Sequence, residues 1–282
     1  MDAILEAVEA PEEGPQVAHH EPVRYQELVG PVAVELCDLT KSLGGRVVLD
    51  GVNLAIQKGE TLCIIGGSGA GKSVTLKHIV GLLKPDRGCV KIDGVDVTHT
   101  KNGELDAARR KIGFLFQGAA LLNSMTVFEN VALPLREHER LRDPEIRERV
   151  TAKLALVALE DAGHKYPAEI SGGMKKRAGL ARAIIRDPQI ILYDEPTAGL
   201  DPVIASTIND LILDMQKKLG VTSILVTHDM SSAFRVSNRI AMLLKGKIVK
   251  LGSPAEFKAS EDPIVRQFIY GESEGPLTKE RA

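Results

Sequence analysis

Apolar and polar positions alternate in the first part of the chain and recur at helical spacing further on. Ordered structure is expected to begin with a strand from Val32 to Leu36. Val52, Leu54 and Ile56 alternate with Asn53, Ala55 and Gln57, the pattern of a half-buried strand. Lys58-Gly59-Glu60 reads as a turn, and Thr61 to Ile65 is an apolar run of the kind found in strands covered on both faces. After a glycine-rich loop, Leu76, Ile79, Val80 and Leu83 fall at i, i+3, i+4 and i+7 and predict one face of a helix. Cys89 to Ile92 and Ile112 to Phe116 read as further strands.

From about 118 to 186 little reads as strand. Asp143-Pro144 predicts an N-cap followed by proline at the first helical position, and Ile146, Val150, Leu154 and Val157 then form an apolar stripe. Alternation resumes at Ile190 to Tyr193. Asp201-Pro202 opens a helix with apolar Ile204, Ile208, Leu211, Ile212, Met215 and Leu219, and a strand follows from Ser223 to Val226. Ile240 to Leu244 and Lys247 to Leu251 flank Lys245-Gly246 as a late hairpin. Strands alternating with helices predict an α/β core with a helical insert at 118–186.

Composition changes the picture mainly at the N-terminus. Residues 1–31 hold seven acids and one base, a net of −6 against −2 for the whole chain, and Pro11, Gly14, Pro15, Pro22 and Pro31 lie among them. They read as an acidic, flexible extension on a remainder of net charge +4. Neither the overall charge nor the 4% aromatic content, with no Trp, favours nucleic acid as a partner. Cys37, Cys63 and Cys89 have no spacing suited to a disulfide framework or a zinc site, and Cys63 reads as core. The N-terminus lacks a signal-peptide pattern, and no run approaches the ~18 apolar residues of a membrane helix. Any membrane link is expected to pass through a partner.

Three segments carry the chemistry. Gly66-Gly67-Ser68-Gly69-Ala70-Gly71-Lys72-Ser73 matches G-x-x-x-x-G-K-[ST] between a buried strand and an amphipathic helix. Such a loop turns its N–H groups inward at an anion, and the helix start adds a positive dipole end. Lys72 is expected to reach the β- and γ-phosphates, and the Ser73 hydroxyl to ligate Mg²⁺. Ile190 to Tyr193 ends in Asp194-Glu195, which places carboxylates at a strand's C-terminal edge, where ligands bind in such sheets. Asp194 suits the Mg²⁺ shell and Glu195 the attacking water. Ile170-Ser171-Gly172-Gly173-Met174 opens a helix with Met174, Ala178, Ala181 and Ile185 on one face. Lys175, Lys176 and Arg177 fill its first turn, where cations oppose the helix dipole. Either an external anion compensates them or they form a solvated basic face.

In this order the three segments resemble the ATP-binding cassette (ABC) ATPases, over about residues 32–258. The resemblance implies a P-loop ABC cassette with a mainly parallel core sheet, an N-terminal antiparallel β portion and a helical subdomain. It leaves 259–282 as a C-terminal helix and tail. It also implies further roles: Gln117 as the Q-loop glutamine and a third Mg²⁺ contact, Ser171, Gly172 and Gly173 as the signature, Asp201 in the D-loop, and His228 as the switch histidine. Lys72, Glu195 and His228 would be catalytic. Two positions depart from the family pattern. Met174 stands where the signature usually has Gln, and Leu43 stands where an aromatic usually stacks on adenine.

Further segments are similar to the ATPases of MCE-type (Mla-like) lipid transporters: Gly118 to Val131, Pro134 to His138, and Asp262 to Phe268. That resemblance implies a homodimeric ATP hydrolase on the cytoplasmic face of the inner membrane. Its partners would be an integral membrane permease and an MCE substrate-binding protein. The rival is a soluble ABC ATPase of the iron–sulfur assembly or DNA-repair type, with a nucleotide-binding regulator as a third possibility. Leu121, Leu122, Met125, Val127 and Phe128 form an apolar cluster. It either packs inside the insert or, through Leu121, Leu122 and Met125, lines a groove for a permease helix.

Overall fold

The computed structural model describes residues 30–279 except 101. All but the last two residues of the expected acidic extension, and the final residues 280–282, lie outside the described residues. In chain order the elements are β1 (Val32–Leu43), β2 (Arg46–Gln57), β3 (Thr61–Ile65), α1 (Lys72–Ile79), β4 (Arg87–Ile92), β5 (Val95–Asp96), α2 (Asn102–Arg110) and β6 (Ile112–Leu115). Three helices follow: α3 (Val127–His138), α4 (Asp143–Leu156) and α5 (Gly172–Ala183). Then come β7 (Ile190–Asp194), α6 (Pro202–Leu219), β8 (Thr222–Thr227), α7 (Met230–Val236), β9 (Arg239–Leu244) and β10 (Lys247–Gly252). The chain closes with α8 (Pro254–Lys258), α9 (Pro263–Tyr270) and α10 (Pro276–Lys279).

The strands form two sheets. One is antiparallel, in the order β2-β1-β4-β5; the other has the order β10-β9-β3-β8-β7-β6 and is parallel except for the β9–β10 hairpin. The first strand runs well past Leu36, because β1 and β2 pair as far as Leu43 opposite Arg46. Gly44 and Gly45 join them with φ of 57° and 78°, the left-handed backbone a two-residue hairpin demands. Val34, Leu36, Leu54 and Ile56 of this sheet bury against Leu62, Ile64 and Ile79. A second core on the other face joins Ile65, Val131, Leu154, Ile184, Tyr193 and Phe257. Each such fully buried side chain contributes about 1.5–3 kcal/mol.

Two local expectations shift. Helix α1 stops at Ile79, so Val80 and Leu83 lie beyond it. The N–H groups of Leu82 and Leu83 reach back to the Lys77 carbonyl at 2.8 and 3.1 Å and close the helix end early. Asp143 is the first helical residue of α4 rather than its cap. Arg142 holds the cap position, and its N–H donates to Glu145 Oε2 at 2.9 Å, so a carboxylate three residues on does the capping.

Register decides what the sheet presents. Ile65 pairs with Thr227 and Asp194 with Val226, so β3, β8 and β7 end at one edge. The loops after them carry the glycine-rich segment, His228 and Glu195, and β6 adds Gln117 beside them.

Candidate active site

The glycine-rich loop leaves β3 and enters α1 through Gly71, which has φ 105°. A Cβ at Gly71 would sit 2.8 Å from Leu49 Cδ2 and 2.9 Å from the Val48 carbonyl, so the antiparallel sheet packs directly on the loop. Lys72 is buried, and its amine donates to the carbonyls of Gly66 (2.8 Å) and Gly67 (3.2 Å). It thus folds back over the loop it belongs to, with Glu195 Oε1 at 3.7 Å. Ser73 Oγ donates to Asp194 Oδ1 at 2.7 Å, joining the loop to the end of β7. Burial holds the Asp194 carboxyl above its ordinary pKa, against the lowering effect of the Ser73 hydroxyl and of Lys77 and Lys72. Hard oxygens this close, one of them on a carboxylate short of compensating charge, suit a hard divalent cation.

Glu195 is 7% exposed and has φ 49°, a left-handed backbone uncommon for a side chain of its size. Its backbone is held on both sides: the N–H donates to the Val226 carbonyl at 3.0 Å, and the carbonyl accepts from the Ala198 N–H at 3.3 Å. Glu195 Oε2 lies 2.9 Å from His228 Nδ1 and accepts a longer bond from the His228 N–H at 3.4 Å. One carboxylate therefore faces a lysine on one oxygen and a histidine on the other. His228 itself is largely exposed at the strand edge. Lys72, Ser73, Asp194, Glu195 and His228 form one connected cluster.

The other expected site residues are not in that cluster. Ser171 caps α5, accepting from the Met174 N–H at 3.3 Å, and Asp201 caps α6, accepting from the Val203 and Ile204 N–H groups at 3.0 Å. Among the described residues, Ser171 and Asp201 make no hydrogen bond to the glycine-rich loop of their own chain. Gln117 is exposed, and its recorded contact is through its backbone carbonyl, to the Lys176 amine. Two of the three cations of α5, Lys176 and Arg177, follow neither expectation. Lys176 is buried on the carbonyls of Gln117 and Glu195, and Arg177 donates to the carbonyls of Val157 (3.0 Å) and Ala158 (2.7 Å). Internal carbonyl oxygens replace both an external anion and solvent. Sequence reasoning also missed Arg182, which holds the carbonyls of Ala119 and Ala120 at 2.6 and 2.7 Å and so shapes the loop after Gln117. Its only sequence signal is a cation on the otherwise small-residue face of α5.

Leu43 lies at the hairpin tip and is 41% exposed, with no aromatic at that position to stack on a base. The apolar cluster after Gln117 divides. Val127 is core, Leu121 and Phe128 pack partly against it, and Leu122 is 44% exposed. Buried Asn130 ties this segment by its backbone, accepting from the Leu122 N–H and donating to the carbonyls of Leu122, Met125 and Thr126. Leu121 and Met125 are half-buried, so with Leu122 they stay at the surface of the insert. A cleft of about 510 Å³ lies elsewhere, between the parallel-sheet core and the insert, lined by residues that include Leu82, Phe114, Phe116, Pro134 and Arg182.

Comparison with known proteins identifies the family and the fold. Residues 49–198 match the family model described as ABC transporter. The chain is 45% identical over 246 residues to the "Probable ribonucleotide transport ATP-binding protein mkl" of Mycobacterium tuberculosis, covering 87% of this chain and 68% of that protein. It is 38% identical over 244 residues to the "Intermembrane phospholipid transport system ATP-binding protein MlaF" of Escherichia coli, covering 86% of this chain and 91% of that protein. Among solved structures it resembles a dimeric post-hydrolysis state of the ATP-binding cassette MJ0796 bound to ADP and Pi. That match has a TM-score of 0.73 and 36% identity, and covers 78% of this chain and 98% of the other. The cassette cbiO1 of Clostridium perfringens gives a TM-score of 0.75 at 31% identity, covering 84% and 94%. With its phosphate loop, strand-end carboxylates and cassette fold, the chain belongs to the ABC transporter family as an ATP-binding, ATP-hydrolysing subunit.

Proposed function

We propose that the chain couples ATP hydrolysis to movement of a phospholipid or related lipid. It would do so as a homodimer bound to an integral membrane permease and an MCE substrate-binding protein, on the cytoplasmic face of the inner membrane. The observation that carries the ATPase reading is the cluster Lys72–Glu195–His228 beside Ser73–Asp194 at adjacent strand ends. The glycine-rich loop Gly66–Ser73 receives the phosphates, and Lys72 exchanges its loop carbonyls for phosphate oxygens. Ser73, Asp194 and Gln117 would hold Mg²⁺, which supplies charge neutralisation at the phosphates. Glu195 takes a proton from the attacking water, and His228 orients that carboxylate through Oε2. Ser171, Gly172 and Gly173 would meet the ATP of a second subunit, a reading supported by Ser171 making no hydrogen bond to its own glycine-rich loop among the described residues. Asp201 stands beside them at the start of α6.

The lipid reading is supported by relatives named for intermembrane phospholipid transport, whose length the chain nearly spans. No helix among the described residues is long and apolar enough to cross a membrane, and the permease would supply the transport path. The cleft between core and insert is placed to receive an amphipathic segment of that partner, since it borders the strand leading to Gln117. The relative named for ribonucleotide transport supplies the competing substrate. The deciding experiment isolates the native complex from membranes through this subunit, identifies its components and reconstitutes it in vesicles. ATP-dependent movement of labelled phospholipid is expected. Movement of a ribonucleotide without lipid movement, or co-isolation with a soluble scaffold, rejects the lipid reading.

A further inference from the structure

Helix α5 starts at the signature residues, and Lys176 follows little more than one turn later. Its side chain is 6% exposed, although lysine ordinarily keeps its charged head in water. The amine donates to the Gln117 carbonyl and, at 3.0 Å, to the Glu195 carbonyl. The carboxylates of Asp194 and Glu195 act on the same charge. One cation therefore joins three segments far apart in the chain: the signature helix, the loop after β6 and the loop after β7. Both loops have unusual backbone at the junction, with φ 49° at Glu195 and 60° and 48° at Ala119 and Ala120. A buried charge bonded to one carbonyl in each loop holds both loops in register with α5.

Under the ATPase reading above, on which this inference rests, the signature of one subunit meets the partner's ATP while Glu195 serves the ATP of its own subunit. We infer that Lys176 is a positioning residue that couples the two ATP sites of the dimer. When α5 is drawn onto the partner's ATP, Lys176 moves with it. The carbonyls of Gln117 and Glu195 then follow, or lose a charge-assisted hydrogen bond. The state with the signature seated is thereby the state with Glu195 in place, which is the differential contact that coupling requires. Lys175, one position earlier, makes no side-chain hydrogen bond or ion pair among the described residues and serves as the control.

The test uses full-length chain and four variants: Lys176→Met, Lys176→Arg, Lys176→Gln and Lys175→Met. Binding of a fluorescent ATP analogue, ATP hydrolysis with its Hill coefficient, and thermal unfolding are measured for each. For Lys176→Met, nucleotide binding within about twofold of wild type is expected, with kcat reduced about tenfold or more, the range for a hydrogen bond to a charged group. The Hill coefficient should fall toward unity. In the Glu195→Gln background, adding Lys176→Met should raise the ATP concentration needed for dimers to form, read by light scattering. Lys176→Arg should restore most of kcat and cooperativity, Lys176→Gln an intermediate share, and Lys175→Met should match wild type. A wild-type kcat and Hill coefficient in Lys176→Met overturns the inference, as does Lys176→Arg being as impaired as Lys176→Met. If Lys176→Met does not fold, Lys176→Gln decides, and unchanged cooperativity in it overturns the inference. Lys72→Ala and Glu195→Gln run alongside. If they hydrolyse ATP like wild type the ATPase reading fails, whereas if they are inactive and Lys176→Met is normal only the coupling fails.

Discussion

Lys72 holds the loop carbonyls of Gly66 and Gly67 and faces Glu195 Oε1, so a buried cation waits where phosphate oxygens would arrive. Replacing it with Ala removes the charge and leaves the surrounding backbone intact, since α1 does not depend on that side chain for its hydrogen bonds. We expect Lys72→Ala to lose hydrolysis by about 10²-fold or more, as for a lost electrostatic stabiliser, with an unchanged circular dichroism spectrum. Near-normal hydrolysis would reject Lys72 as the phosphate contact. In the proposed chemistry Glu195 takes the proton, with one carboxylate oxygen beside His228 and the other toward Lys72. Glu195→Gln keeps the shape and removes the base. Hydrolysis should slow by about 10²–10⁴ while ATP still binds, and ATP should then leave a dimer visible by light scattering. A fully active Glu195→Gln would take this residue out of the role.

At the scale of elements, the insert is held by polar contacts as much as by its apolar stripe. Thr126 and Glu129 cap α3 reciprocally, and fully buried Asn130 bonds four backbone groups of the loop that leads into it. Asn130→Ala takes the side-chain partner from the part-buried Leu122 N–H and Met125 carbonyl, whereas the Leu122 and Thr126 carbonyls keep the N–H groups of Met125 and residue 130, so a loss of about 1–3 kcal/mol is expected, read from the denaturant midpoint. Helix α1 supplies a pH-dependent contribution. Burial keeps the His78 imidazole below its ordinary pKa of 6.5, outweighing the raising effect of the Val74 carbonyl at 2.7 Å and of Asp86, while Lys41 adds to the lowering. As pH falls below 6.5 the unfolded chain takes the proton first, so this part of the stability is present above that value and lost beneath it. Between about pH 8 and 5, His78→Leu should show a shallower loss of stability than wild type. Equal slopes would show that His78 is not the group responsible.

At the scale of the whole molecule, we propose the cleft between core and insert, rather than the apolar cluster, as the surface for a membrane partner. Leu82 lines it and is exposed, whereas Leu122 stands outside it with its backbone tied to Asn130. Leu82→Asp should therefore release the subunit from its membrane complex while preserving ATP binding, because a charge introduced into an apolar contact is costly once buried. Leu122→Asp should leave the complex assembled. A pull-down from solubilised membranes, with nucleotide binding measured on the isolated subunits, separates the two surfaces. Release by Leu122→Asp alone would return the docking surface to that cluster.

What the sequence determined by itself follows from local and periodic signals. Strand-end residues such as Asp194 and Glu195, and the glycine-rich loop before α1, lie in contiguous motifs, so their common sheet edge could be expected from order alone. The stripe Ile146, Val150, Leu154 and Val157 likewise marked a buried helix face by spacing. Tertiary structure decided what depends on partners distant in the chain. Lys176 and Arg177 looked like a basic surface, because nothing in their neighbourhood shows that Gln117, Glu195, Val157 and Ala158 will present carbonyls to them. For the cluster Leu121, Leu122, Met125, Val127 and Phe128 the sequence left core and surface both open, and packing put Val127 in the core with Leu121 and Phe128 against it, while a cleft formed beside Leu82. A motif specifies the groups it contains, whereas a buried cation or a groove is specified by which segments the fold brings against it.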